Sequence, residues 1–186
     1  MPPKVKITKE DIVNAAVALV RQRGPQALNA RELASRLRCS TQPIFSNFAS
    51  MEQLRLSVME EAEAVYFAYT RRETESGQYP VYKASGMAYI RFAKEEKELF
   101  KLLFMCDRES GSIPENREFN RQVDAMVQEA TGLDSSRSQL FHLEMWAAVH
   151  GVATMFATNY LDLPWELVSQ MLTDIYRGLR KQYEME

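Results

Sequence analysis

The sequence predicts an all-α fold of about nine helices, with a three-helix head carrying a helix-turn-helix followed by a larger C-terminal helical bundle. Three observations lead there. Apolar residues recur at three- and four-residue steps along most of the 186 residues. Helix start signals precede these stretches at intervals. Runs of β-branched residues are few, which favours helix over sheet. A division into residues 1–54 and 55–186 follows from the same pattern, and charge divides along it. Residues 1–55 hold nine basic and four acidic side chains, a net of about +5, against −2 for the whole chain. The remainder therefore carries about −7. A basic head on an acidic body suggests a polyanionic partner at one end only.

Each element of the head has a local cause. Thr8 and Asp11 form a capping box. Ile12, Ala15, Ala16, Leu19 and Val20 then repeat at helical spacing until Gly24-Pro25 stops the helix. Asn29, with Glu32 three residues on, starts a second helix whose apolar face is Leu33, Ala34 and Leu37. After a turn at Arg38-Cys39, Ser40 is expected to cap a third helix. Pro43 fits its first turn, where the missing N–H has no partner to lose. Ile44, Phe45 and Phe48 are expected to point inward, and Thr41, Gln42, Pro43, Ser46 and Asn47 outward. Ser50 with Gln53 opens a long fourth helix. Two short helices joined by a tight turn and packed on a first helix describe a helix-turn-helix. Its second helix enters the major groove, where Gln or Asn can bind adenine and Thr or Pro can meet a thymine methyl.

This segment resembles the TetR family of bacterial transcriptional regulators. The matching residues run in order and without gaps: Ile12 to Ala16, Gly24, Asn29 to Ala34, Leu37, Ser40-Thr41, Ile44 to Phe48 and Ser50 to Leu54. The resemblance implies a DNA-binding surface formed by Asn29, Arg31, Arg38, Ser40, Thr41, Gln42, Pro43, Phe45, Ser46, Asn47 and Met51. Three positions depart from the family's pattern. Arg38 replaces a turn glycine, so that turn is made with local strain or without a positive φ. Phe45 replaces a tyrosine that gives its hydroxyl to a phosphate, and Met51 replaces a lysine. The last two remove a neutral donor and a positive charge from the backbone footprint. Losing one charged phosphate contact lowers the salt slope of binding by about 0.9. The N–H groups at the start of the fourth helix, Arg31, Arg38 and the Lys4, Lys6 and Lys9 arm are expected to compensate.

The body is expected to be helical throughout. The fourth helix passes through Val58, Ala62, Tyr66 and Tyr69 and ends near Glu75-Ser76-Gly77. Pro80 restarts the chain ahead of Tyr82, Tyr89 and Phe92, then Phe100, Leu103 and Phe104. Asp107 to Ser112 reads as a loop. Glu115 to Ala130 reads as an amphipathic helix with Phe119, Val123, Met126 and Val127 inward, ended by Gly132. Leu140 to Tyr160 is apolar on most sides, and the final helix repeats Val168, Met171, Leu172, Ile175, Tyr176 and Leu179. Two long apolar helices point to a self-complementary twofold contact. The family resemblance makes them a four-helix dimer interface, with Ala147, Gly151, Val168, Met171, Leu172, Ile175 and Leu179 as its residues. The run Trp146 to Gly151 further resembles one subgroup of TetR-type C-terminal domains with a Trp-x-x-x-His-Gly sequence.

An effector pocket is expected among Tyr66, Tyr89, Phe92, Phe100, Phe104, Met126, Trp146 and His150, whose aromatic and Met-rich walls suit a small apolar or aromatic ligand. The same residues at helical spacing also describe ordinary core. His142 and His150 lie too far apart for a local metal pair, and Cys39 and Cys106 have no CxxC spacing. No metal, cofactor or membrane partner is expected. Neither a secretory segment nor an eighteen-residue apolar run is present, so a cytoplasmic protein is expected. No nucleophile–His–acid order, paired carboxylates in a Gly-bounded site or phosphate loop points to an enzyme.

The reading is thus a ligand-responsive transcriptional regulator, a repressor that binds a pseudo-palindromic operator as a homodimer. The alternative is a helical small-molecule sensor or protein-partner module with the same fold and weak or lost DNA binding. Undetectable or salt-insensitive duplex binding would favour the alternative.

Overall fold

The computed structural model describes residues 7–106 and 117–184, with the backbone alone for 117–120. Expectations about Lys4, Lys6, the Asp107 to Ser112 loop, Glu115 and the Phe119 side chain lie outside the described residues. Among those described there are nine α-helices, one 3-10 turn and no strand. In order they are α1 (Lys9–Arg23), the 3-10 turn (Pro25–Ala27), α2 (Ala30–Arg36), α3 (Gln42–Asn47), α4 (Met51–Glu75), α5 (Val81–Glu95), α6 (Lys97–Phe104), α7 (Arg117–Thr131), α8 (Ser135–Ala157) and α9 (Trp165–Gln182).

The described residues fall into two compact units. The first takes the chain up to Val65 together with the segment from Glu96 through α6. The second takes Tyr66–Glu95 with α7, α8 and α9. The long helix α4 contributes to both.

In the first unit, α1 packs on α2, α3 and α6. Ile12, Ala16 and Val20 of α1, Leu33 of α2, Ile44 of α3, Leu54 and Val58 of α4, and Leu99 and Phe100 of α6 are fully buried there. The capping box at α1 forms as the sequence predicts: Asp11 N–H donates to Thr8 Oγ1 at 3.1 Å, and Thr8 N–H donates to the Asp11 carboxylate at 2.9 Å. Those bonds also hold the Asp11 carboxyl below its usual range. Gly24 ends α1 at φ 82°, and its N–H returns to Val20 O at 2.8 Å. Such a φ suits glycine, which lacks the clashing Cβ.

Two details of the third helix differ from expectation. Its cap is Thr41, not Ser40, and Thr41 already has αR dihedrals, so no side-chain cap bond forms. Phe45 points outward and is 50% exposed, whereas Ile44 and Phe48 are buried. In a six-residue helix only one i, i+4 pair can face the core, and Ile44 with Phe48 occupies it.

In the second unit, α5 lies against α7, α8 and α9, and α8 against α7 and α9. The α8 helix starts earlier than its apolar pattern. Asp134 caps it by accepting from the N–H groups of Ser136 and Arg137 at 3.0 and 3.1 Å. Val127, Phe141 and Met145 form a buried cluster against which Tyr82, Ile175, Tyr176 and Leu179 pack. Val168 and Leu172 are 0% and 2% exposed within the single chain, and Ile175 and Leu179 lean on the same chain's cluster. Val168 and Leu172 of the α9 stripe therefore serve the chain's own core, where α5 and α8 pack on α9, while Met171, Ile175 and Leu179 stay half-buried. Ala147 is exposed, and Gly151 and Met171 are half-buried. Leu140, Leu143, Trp146 and Leu167 stay exposed at 40–56%.

Candidate nucleic-acid interface and effector region

The helix-turn-helix is built by α2, the turn after it and α3. Asn29 is committed to capping α2: its Oδ1 accepts from the N–H groups of Arg31 and Glu32 at 3.1 and 3.0 Å, and its Nδ2 donates to Ala27 O. Its side chain is therefore occupied in holding the helix start. The turn passes through Arg38 at φ 52°, the left-handed region that favours glycine. Cys39 N–H reaches back to Ala34 O at 3.0 Å and closes the turn.

On α3, Gln42, Phe45 and Ser46 are exposed, and Thr41, Pro43 and Asn47 are half-buried. Two of the polar side chains fold back on the helix. Ser46 Oγ donates to Gln42 O at 2.9 Å, and Asn47 Nδ2 donates to Pro43 O at 2.8 Å. Ser40 is exposed beside the turn, and Met51, half-buried, opens α4. That start is held by a second reciprocal cap: Gln53 N–H donates to Ser50 Oγ at 3.2 Å and Ala49 N–H to Gln53 Oε1 at 2.7 Å.

The arginines of this unit among the described residues divide into two groups. Arg21 donates through Nε and Nη2 to both carboxylate oxygens of Glu96 at 2.8 and 2.9 Å. Arg23 pairs with Glu32, and Arg36 donates to Gln22. Arg31, Arg38 and Arg55 have no carboxylate partner among the described residues. Of these, Arg31 and Arg38 are exposed, and exposed guanidinium groups without internal partners keep their donors for phosphate. The pairing of Arg21 with Glu96, 75 residues away, was invisible to local sequence reading.

Five of the eight expected effector residues come together in the second unit. Tyr66 meets Tyr89 edge-on at 5.9 Å between ring centroids, and Phe92 at 5.5 Å. Tyr89 Oη lies 2.9 Å from His150 Nδ1, and His150 stacks on Trp146 at 4.8 Å. Burial pushes the Tyr66 hydroxyl up to about 12 and the His150 imidazole down. A neutral imidazole is thereby favoured against the tyrosine hydroxyl. A similar pair, Tyr82 Oη with His142 Nδ1 at 3.1 Å, sits one helical stretch away, and burial lowers His142 as well. Neither tyrosine–histidine pair is foreseeable from spacing, because each joins α5 to α8 across 60 or 61 residues.

Phe100 and Phe104 belong to α6 in the first unit, with their rings 5.3 Å apart. Met126 is half-buried on α7. A cavity of about 500 Å³ opens in the first unit, lined by Pro25, Arg55, Lys101 and Cys106 among others. No cluster of three or more His, Cys, Asp or Glu among the described residues could hold a metal ion. No helix there is long and apolar enough to cross a membrane.

Two family models match the chain. Residues 12–58 match that of the bacterial regulatory proteins of the tetR family, and residues 82–175 match that of the tetracyclin repressor-like C-terminal domain. The chain belongs to the TetR family. It is a DNA-binding transcriptional regulator with an N-terminal helix-turn-helix. Among proteins of curated function, none matches the regulator in sequence.

Solved structures share its fold. A TetR-like transcriptional regulator from Rhodococcus sp. RHA1 has a TM-score of 0.70 at 13% identity, over 96% of this chain and 98% of that one. A TetR family member from Streptomyces coelicolor A3 has a TM-score of 0.63 at 15% identity, over 90% and 96%. The multidrug binding protein EbrR, complexed with imidazole, has a TM-score of 0.65 at 15% identity, over 90% and 93%.

Proposed function

We propose that the regulator is a cytoplasmic, homodimeric, ligand-responsive repressor, acting without catalysis. In this reading, residues 1–54 bind a pseudo-palindromic operator and 55–186 hold the effector and the partner copy. One observation carries it: α3 turns Gln42, Phe45 and Ser46 outward, and the exposed Arg31 and Arg38 of the same unit pair with no carboxylate among the described residues. A short helix so presented, on a buried base of Ile44 and Phe48, suits the major groove, with the arginines suited to flanking phosphates.

Dimerisation is supported by the exposed Leu140, Leu143, Trp146 and Leu167, together with Ala147, Gly151 and Met171. A second copy would remove this apolar surface from water. The effector reading rests on the continuous chain Tyr66, Tyr89, His150 and Trp146, whose rings and polar tips suit a flat apolar or aromatic molecule. An effector shifts DNA affinity only by the difference in its affinity for the two states.

Selection of duplexes from a random library by purified protein tests the proposal, followed by binding of the winner at several salt concentrations. Half-sites centred about one helical turn (about 34–36 Å) apart are expected, with a steep fall in affinity as salt rises. No enrichment, or weak binding indifferent to sequence, would refute the operator reading and leave a DNA-free sensor.

A further inference from the structure

We propose that Phe45 reads the 5-methyl group of a thymine in each operator half-site and is a specificity-determining residue of the regulator. This rests on the operator-binding reading above and deepens it. Phe45 is 50% exposed on α3, between the buried Ile44 and the exposed Ser46. A phenylalanine side chain offers roughly 150–250 Å² of surface, so roughly half of that meets water here. Its ring has neither donor nor acceptor, so it makes no hydrogen bond to a phosphate or to a polar base edge. Within the major groove the apolar feature is the thymine methyl, and phenylalanine is one of the side chains that meets it.

The neighbours sharpen this assignment. Ser46 Oγ and Asn47 Nδ2 each donate to the backbone of their own helix, which leaves the outward surface around Phe45 less polar than its sequence. Gln42, three residues earlier on the same face, is exposed, and its side-chain amide makes no hydrogen bond among the described residues. Positions i and i+3 of a helix are neighbours. Gln42 is thus placed to bind an adenine beside the thymine that Phe45 covers.

The test uses the full-length protein and its selected operator. Each thymine is replaced in turn by deoxyuridine, which removes only the methyl, and Kd is measured by fluorescence anisotropy for the wild type, Phe45→Ala and Phe45→Leu. For wild type, one thymine per half-site should weaken binding about fourfold when demethylated, the ratio expected for one buried methyl-sized group. With Phe45→Ala, thymine and uracil at that position should bind alike. Phe45→Leu should restore part of the difference, and circular dichroism checks that both variants keep their helices. Equal thymine-to-uracil ratios for wild type and Phe45→Ala at every position overturn the proposal while leaving DNA binding intact. A wild type that binds no duplex overturns the operator reading itself, and this inference with it.

Discussion

Replacing Arg38 by glycine should stabilise the fold while weakening DNA binding, so one substitution separates the two roles of the turn. Arg38 sits at φ 52°. A non-glycine residue in that region costs roughly 1–2 kcal/mol, from the approach of Cβ to the following carbonyl. Glycine removes this strain but frees the unfolded chain, which returns roughly 0.4–1 kcal/mol. The side chain is exposed and pairs with no carboxylate among the described residues, so its loss forfeits no internal contact. At mid-range values the net gain is about 0.8 kcal/mol. For a chain of this size, that raises the unfolding midpoint by about 1–4 °C. Arg38→Ala keeps the Cβ and should show no such gain. Thermal unfolding followed by circular dichroism reads the first effect. Operator binding against salt reads the second, with a slope shallower by about 0.9 for each Arg38 lost. A glycine variant no more stable than the alanine variant would refute the strain argument, and an unchanged salt slope would refute the phosphate contact.

Three further outcomes are expected. Gly24→Ala places a Cβ at φ 82°, ψ 167° and 2.9 Å from Glu98 Oε2; the carboxylate can move aside, so the backbone conformation dominates and costs about 1–3 kcal/mol in urea unfolding. Arg91→Met strands Glu73, which is 6% exposed and bonded to Arg91 Nε at 2.5 Å; it should cost about 3 kcal/mol, and adding Glu73→Gln should recover much of it. His142 and His150 both titrate below 6.5 in the folded chain because burial disfavours the charged ring. The stability tied to their neutral form is complete above pH about 6.5 and is lost as pH falls through the lowered folded values. The double variant His142→Gln with His150→Gln should therefore lose less stability than wild type between pH 7.5 and 5.5 in urea unfolding.

Most helix boundaries were legible because their causes are local. Thr8 with Asp11, Asn29, and Ser50 with Gln53 cap their helices through bonds spanning two to four residues, and Gly24 and Gly132 adopt the positive φ that ends a helix. Arg38 was readable as a site of strain for the same reason: the turn demands a conformation whatever surrounds it. The break between α5 and α6 was not readable, since Glu96 there has no intrinsic breaking tendency; its carboxylate is held by Arg21, which lies on α1.

By itself, then, the sequence determined the helical class, the helix-turn-helix with the caps of α1, α2 and α4, and the family. Tertiary structure decided which way the apolar residues face. Periodicity shows that Val168, Leu172, Ile175 and Leu179 share a stripe, but only the placement of α5 and α8 shows that Val168 and Leu172 are closed off within the chain's own core. Phe45 is the counterpart, an apolar residue in an inward-looking pattern that the core has no room to accept beside Ile44 and Phe48. The physical reason is common to both. A cap or a turn is set by bonds among neighbours in sequence, whereas burial depends on which distant surface arrives to exclude water.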